Sequence, residues 1–225
     1  VGSGHDAFGV LAEMDVPTFS LITGVALGGG LELALHTDYR LSTSGKAPMG
    51  LPECHLGFFP GWGGVHLLPH LVGAEAALNI IVTDSMRGKN LNPAKAAEIG
   101  LVDAVLEGAP GSEQWDTSWQ NWVVEVLEGK HEPRRTTEDA QTWDAAVQKA
   151  AAKAEQAWHG AAPGPVAAIE LVGRARTDSR LENAEAAVEA FKTIVQSEPA
   201  RASLYAFELV SARSKQAANV PDAPV

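Results

Sequence analysis

The chain has 225 residues, with 17 Lys and Arg against 28 Asp and Glu and a formal charge of −11. Hydrophobic residues make up 45% and charged residues 20%, which is enough apolar material for a packed core and excludes a chain disordered throughout. The acidic balance argues against non-specific binding to nucleic acid or an anionic membrane, and the single cysteine, Cys54, leaves no internal disulfide or multi-cysteine zinc site and points to a reducing, cytoplasmic setting.

The sequence opens on Val1 and shows no charged and apolar leader. No run approaches the ~18 apolar residues of a spanning helix, so membrane association is not indicated. The length suits one domain, and the non-Met start suggests a piece of something longer. His5 to Glu13 reads as the end of a helix, broken at Val16-Pro17. Thr18 to Thr23, β-branched and aromatic, predicts a buried strand. Gly24 to Gly30 is a turn of small residues, and Leu31 to Leu35 opens a helix with Leu31, Ala34 and Leu35 on one face. Tyr39 to Ser42 predicts a second strand, followed by a loop at Thr43–Pro48. Gly63 to Leu71 is helical with an irregularity at Pro69, and Ala74 to Val82 is a strong helix. Asn92-Pro93 starts another helix that ends at Gly100, and Leu101 to Leu106 predicts a strand.

Composition changes near residue 108. Residues 1–108 hold most of the glycine and alternate strand with helix, an α/β pattern; residues 109–225 are rich in Ala, Glu and Trp and read as an all-helical region. Trp115, Trp119 and Trp122 share one helix face, which predicts packing against the first region. Ala140 to Trp158, Pro165 to Arg176 and Leu181 to Gln196 are helical, the last with Val188, Phe191 and Val195 in register. Pro199 interrupts, and Ser203 to Lys215 resumes; Tyr205 and Phe207 there read as core or domain-contact residues. The tail at 219–225 is linker-like.

Three features carry candidate chemistry. In Gly24 to Glu32, three glycines follow a strand and enter a helix, exposing backbone N–H groups that can stabilise a negative oxygen. Close helix–strand packing explains the glycines as well. A phosphate loop and a dinucleotide fingerprint both fail on spacing. The second feature is Leu51-Pro52-Glu53, which places Glu53 21 residues after Glu32. Each carboxylate has an apolar or glycine-rich context, where burial would raise its pKa and suit proton transfer, although a lone Glu is ordinarily exposed. The third, Leu56 to Gly64, again presents backbone N–H groups at a helix start. His66 and His70 have the i, i+4 spacing of metal ligands but lack the Glu of a zinc motif and flank Pro69, so packed or surface histidines are the simpler reading. Cys54 as a nucleophile fits poorly with its apolar neighbours, and Asp38 and Arg40 read as structural partners.

Residues 17–108 resemble the enoyl-CoA hydratase/isomerase (crotonase) superfamily. The resemblance rests on GVALGGGLELAL at 24–35, DYR at 38–40, GLPE at 50–53, LGFFPGWGG at 56–64 and AAEIGLVDAV at 96–105, in order and spacing. It implies a crotonase-like ββα spiral, N-terminally incomplete here and followed by helices. HGAAPGPVAAIELV at 159–172 and SEPARASLYAFELVSARSK at 197–215 resemble the hydratase half of multifunctional fatty-acid oxidation α-subunits of the actinobacterial type. There, residues such as 109–225 lead to a 3-hydroxyacyl-CoA dehydrogenase domain, which would use NAD; the hydratase step needs no cofactor beyond the coenzyme A thioester substrate.

By this resemblance Glu32 and Glu53 are the two catalytic glutamates and Gly29 supplies an oxyanion N–H. Gly61 lies near the catalytic water, with Gly28, Pro60 and Trp62 as further substrate- or water-binding positions. The Glu32–Glu53 interval is one residue longer than in many single-domain members, an insertion expected in the Thr43–Pro48 loop. The family's other oxyanion donor precedes Val1, so the piece alone is expected to be inactive or weak. Implied partners are an acyl-CoA, a thiolase β-subunit and further copies of the chain. The alternatives are an enoyl-CoA isomerase, which generally keeps only the Glu53-type acid, and a non-catalytic scaffold docking dehydrogenase and thiolase parts.

Overall fold

A computed structural model of the chain describes residues 2–217, with side chains through 213; the linker-like tail at 219–225 lies outside the described residues. Helix α1 (Gly2–Ala12) leads into strand β1 (Phe19–Ile22), the two-residue strand β2 (Ala26–Leu27) and helix α2 (Gly29–Leu35). Strand β3 (Tyr39–Thr43), strand β4 (Met49–Gly50) and a 3-10 turn at Pro52–Leu56 follow. Strands β1, β3 and β5 (Ala104–Leu106) form one parallel sheet in that order, with Leu21 opposite Leu41 and Ser42 opposite Val105. Strands β2 and β4 pair in parallel as a second small sheet. The sequence reading of 24–30 as a plain turn misses β2, because two residues are too few to show an alternating pattern.

Strand β3 is buried on both faces, as a central parallel strand must be, whereas β1 is only half-buried, with Leu21 exposed, because it is the sheet edge. Polar contacts fix this layer. Asp38 accepts from the backbone N–H and hydroxyl of Thr18 at 2.9 and 2.8 Å. The buried Arg40 guanidinium donates to the Leu101 carbonyl at 3.0 Å and pairs with Asp103 at 3.4 Å. Both residues are thus the structural partners the sequence suggests.

Helix α3 (Gly64–Val72) runs through Pro69 without ending there. Helix α4 (Ala74–Leu78) passes into a π-helical stretch at Asn79–Asp84, so the regular helix expected to Val82 stops earlier. Helix α5 (Pro93–Glu98) is capped by Asn92, whose side chain accepts from the Lys95 N–H. The expected strand at 101–106 is shorter, since Leu101 and Val102 are core residues entering β5.

Five more helices follow: α6 (Glu113–Leu127), α7 (Ala140–Trp158), α8 (Pro163–Ala175), α9 (Arg180–Val195) and α10 (Glu198–Ala217). Helices α7 to α10 share one apolar core with the first region: Leu31, Phe59, Leu68 and Ile81 belong to the same cluster as Ala168 and Val172 of α8. Trp115 is buried, and Trp122 lies edge-on to Phe19 of β1 and Tyr39 of β3 at 6.3 and 5.3 Å, so this face does pack on the sheet layer. Three side chains hold the end of α8. Trp143 Nε1, Asn183 Nδ2 and His70 Nε2 donate to the carbonyls of Val172, Leu171 and Ala175 at 3.0, 2.9 and 2.8 Å.

Three readings of the last helices need correction. The inner face of α9 runs through Asn183, Ala184, Ala187 and Ile194, with Phe191 packed on Phe58 and Phe59, while Val195 is 43% exposed. Alanines allow close approach to α8 and outweigh the larger residues in choosing the face. Pro199 does not interrupt a helix; it sits in the first turn of α10, where its missing N–H costs nothing. Tyr205 and Phe207 on α10 are 64% and 45% exposed and form no part of the core.

Candidate active site

Glycine geometry places the first carboxylate. Gly28 caps α2 with φ 56°, and its carbonyl accepts from the N–H groups of Leu31 and Glu32 at 2.9 and 3.0 Å. One turn in, Glu32 is on the inner side of α2 with Leu31 and Leu35 and is 2% exposed. Its Oε1 accepts from the backbone N–H of Trp62 at 2.7 Å and of Gly64 at 2.9 Å. Both donors belong to the turn that enters α3, where Gly63 takes φ 110°. A side chain at 64 would bring Cβ to 2.8 Å from Pro60 Cβ and 3.1 Å from Glu32 Oε1, so glycine is what lets the amide reach the carboxylate. Burial raises the Glu32 pKa to about 7, against the opposing pull of the two N–H donors.

Glu53 is carried by the 3-10 turn at Pro52–Leu56. A Cβ on Gly28 would lie 2.8 Å from Glu53 Oε1, so the carboxyl rests against the glycine that caps α2. Its Oε2 is buried with no hydrogen-bond partner among the described residues. Burial, then the charge of Glu32, raises its pKa to about 8. Glu53 rests against the residue that caps the helix carrying Glu32, so the two carboxyls share one region, and of the two Glu32 gives up its proton first. An acid and a base therefore coexist, which is what moving a proton on and off carbon requires.

Among the other predicted positions, Gly29 is the first helical residue of α2, and the opening N–H groups of a helix have no carbonyl one turn back. The Trp62 indole lies against Gly29 and Gly4, since a Cβ on either would come within 2.4 and 2.3 Å of the ring, and it meets Phe8 edge-on at 5.3 Å. It therefore covers the head of α2 while remaining 38% exposed. Pro60 packs on Gly64, and Gly61 is half-buried in the same turn. The residues predicted as a site thus converge around the two glutamates.

Cys54 is fully buried, and burial followed by the Glu53 charge holds its thiol protonated, the opposite of an activated nucleophile. His66 and His70 are adjacent, with ring centroids 4.8 Å apart, but His70 is committed to the Ala175 carbonyl. Burial and the neighbouring His70 lower His66 to about 4. Among the described residues no group of three His, Cys, Asp or Glu is arranged for a metal.

Sequence reasoning missed two participants. One is the role of Gly64: the run at 56–64 reads as backbone N–H groups at a helix start, but nothing local says that the Gly64 N–H is spent on Glu32. The other is His36, whose Nδ1 donates to the Glu32 carbonyl at 2.8 Å and so braces the backbone that carries the carboxylate.

Two small parallel sheets feeding a helical layer, with a buried glutamate pair at the head of a glycine-capped helix, form a crotonase fold with a candidate acid–base site. Residues 3–157 match the enoyl-CoA hydratase/isomerase family, and the chain belongs to it. The chain is 32% identical to the fatty acid oxidation complex subunit alpha of Shewanella halifaxensis, over 95% of this chain but only 30% of that relative's length. The fold is shared with the enoyl-CoA hydratase from Bacillus halodurans, at a TM-score of 0.60 and 19% identity over 90% of this chain and 65% of that one. It is also shared with an enoyl-CoA hydratase from Mycobacterium avium subsp. paratuberculosis, at 0.59 and 15% over 90% and 68%. No helix among the described residues is long and apolar enough to cross a membrane.

Proposed function

We propose that the chain carries the acid–base centre of an enoyl-CoA hydratase that adds water across a 2-enoyl thioester to give a 3-hydroxyacyl-CoA. The observation that carries this reading is the pair of buried glutamates in unequal surroundings. Glu32 is ionised more readily, because two backbone N–H groups stabilise its charge; it is the base. Glu53 has no such donors on Oε2 and keeps its proton longer; it is the acid. Water's oxygen bonds carbon 3 as its proton passes to Glu32, and carbon 2 takes the proton of Glu53. The charge that gathers on the thioester oxygen is met by the Gly29 N–H. One such donor is worth ~10²–10³ in rate.

The relative is a fatty acid oxidation complex subunit alpha, which supports placing this centre in the α-subunit of such a complex; we further place it in a multifunctional, cytoplasmic protein. Its partners would be a thiolase β-subunit and further copies, and NAD would belong to a dehydrogenase domain, not to residues 1–225. The exposed edge of β1, with Leu21, Val25 and Leu33 uncovered around a cavity of about 330 Å³, supports a site completed by the family's N-terminal strands. The 225-residue chain alone is therefore expected to hydrate crotonyl-CoA slowly. In the full-length protein, Glu32→Gln should lower hydration by ~10²–10⁴ and could leave isomerisation of a 3-enoyl-CoA intact. Unchanged hydration would remove Glu32 from the mechanism, and isomerisation without any hydration in the wild type would make the protein an isomerase.

A further inference from the structure

The largest cavity described, about 590 Å³, lies away from the glutamates, between α7 and the segment formed by α4 and the π-helical stretch. Leu78, Val82, Met86, Ala150 and Trp158 give it apolar walls. Leu78 and Val82 are almost completely buried, so the floor is dry and formed by the core itself. The π-helical turn carries Val82 and Thr83 into the wall. Its wider backbone sets it off from the regular helix before it, and such turns recur at functional sites. A cavity of this size with mostly apolar walls falls in the range of small-molecule sites.

The rim is charged in one sense. Arg87, Lys149 and Lys153 converge on it and Glu75 is the only acid there, although acids outnumber bases in the chain as a whole. Lys149 is paired with Glu75 at 2.6 Å. The Arg87 and Lys153 side chains make no hydrogen bond or close ion pair among the described residues, and Lys153 is near enough to Glu75 to help hold that carboxyl ionised. An apolar trough with three cations against one carboxylate at its mouth, in an otherwise acidic protein, is complementary to one kind of molecule.

We propose that this groove is a second binding site, for an unbranched aliphatic chain bearing an anionic head, with the chain along Val82, Ala150 and Trp158 and the head at Arg87 and Lys153. The site is independent of the acid–base reading, since it shares no residue with the glutamates. A free fatty acid and an acyl-CoA both present this chemistry.

The test is titration calorimetry of the 225-residue chain with decanoate below its micelle concentration. One saturable site is expected. Arg87→Glu with Lys153→Glu, both on the exposed rim, should weaken decanoate by about tenfold or more while leaving decanol unchanged. Ala150→Trp, checked for folding by circular dichroism, should abolish both. Competition by decanoyl-CoA separates the sources: displacement of decanoate assigns the thioester, and failure to displace it assigns the free acid. Absence of saturable decanoate binding, or binding indifferent to the rim reversal, would overturn the proposal. So would a chain that sediments as a dimer in which Ala150→Trp yields monomers and decanoate has no effect, because a second copy would then fill the groove.

Discussion

The glycine-rich first region and the helical second region solve different problems with different parts of the residue. Around Glu32 and Glu53 the working groups are backbone. Gly28 bends the chain with φ 56° so that α2 can start beside Glu53, and the amides of Trp62 and Gly64 hold Glu32. In α7, α8 and α9 the contacts are side chains, with alanines for close approach and Trp143, Asn183 and His70 tying down the end of α8. The first region tolerates two buried, poorly compensated carboxyls, and the second has its charges on the surface, as in Lys192–Glu189 and Arg174–Asp178. The candidate chemistry is thus concentrated where buried carboxyls cost stability, on a core that the helices complete.

The sharpest way to break this contrast is at Gly64. Gly64→Ala places a methyl group 2.8 Å from Pro60 Cβ, a rigid ring that cannot swing aside, and 3.1 Å from Glu32 Oε1. The turn must shift, and with it the N–H that orients the base. Hydration by the full-length protein should fall ~10²-fold, the size of effect associated with losing one oriented donor. Steady-state kinetics with crotonyl-CoA checks this, and an unaltered kcat would show that the cradle of Glu32 is packing alone.

The carboxyl pair also predicts how stability depends on pH. A carboxyl whose folded pKa is raised binds its proton more tightly when folded, so the folded state loses stability as pH rises from the unfolded value, about 4.5, through the folded one. For Glu53 that window runs from about 4.5 to about 8, and for Glu32 to about 7. Glu53→Gln, which mimics the protonated form, should therefore leave the melting temperature nearly unchanged at pH 4.5 and raise it clearly at pH 8.5, while hydration is lost. His66 acts with the opposite sign. Its folded pKa of about 4 lies below the unfolded value, so its contribution is present above about 6.5 and lost as pH falls toward 4. A Glu53→Gln melting temperature that rises equally at both pH values would show that the gain is packing and not relief of a buried charge.

The candidate site residues were legible as short motifs, three glycines and Glu32 in one run and Pro52-Glu53 in another, while their roles came from the family resemblance of those motifs. Strand β1 follows from its β-branched and aromatic residues, helix α2 from its apolar period, α5 from Asn92-Pro93 at its start and α7 from its alanines. What stayed hidden is non-local. The bonds from Trp62 and Gly64 to Glu32 span 30 and 32 residues, and no local pattern pairs them. The π-helical turn at Asn79–Asp84 looks like ordinary helix in composition, and α9 chose its small residues over Val195 as its inner face because α8 approaches closely.

In the helical region the corresponding probe is Trp143→Phe. The indole N–H donates to the Val172 carbonyl at 3.0 Å in a fully buried setting. Losing that bond and part of the ring should cost about 2 kcal/mol in urea unfolding, with hydration little changed.

The smallest expected effect is at the start of α9. Ser179 and Glu182 form a capping box: Ser179 Oγ accepts from the Glu182 N–H at 3.3 Å, and the Glu182 carboxylate accepts from the Ser179 N–H at 2.8 Å. Ser179→Ala removes one half of it and should lower stability by about 1 kcal/mol, read as a lower urea midpoint at unchanged slope. The next residue, Arg180, reaches across to Glu13 beyond α1, and its guanidinium lies against Gly9. Helix α1 in turn carries Phe8 onto Trp62, the residue whose amide holds Glu32. If the two regions are separable, Ser179→Ala leaves kcat where it was. A matching fall in hydration would mean that the end of α9 transmits through α1 to the Trp62 turn, and that the helices position the base as well as bury the core.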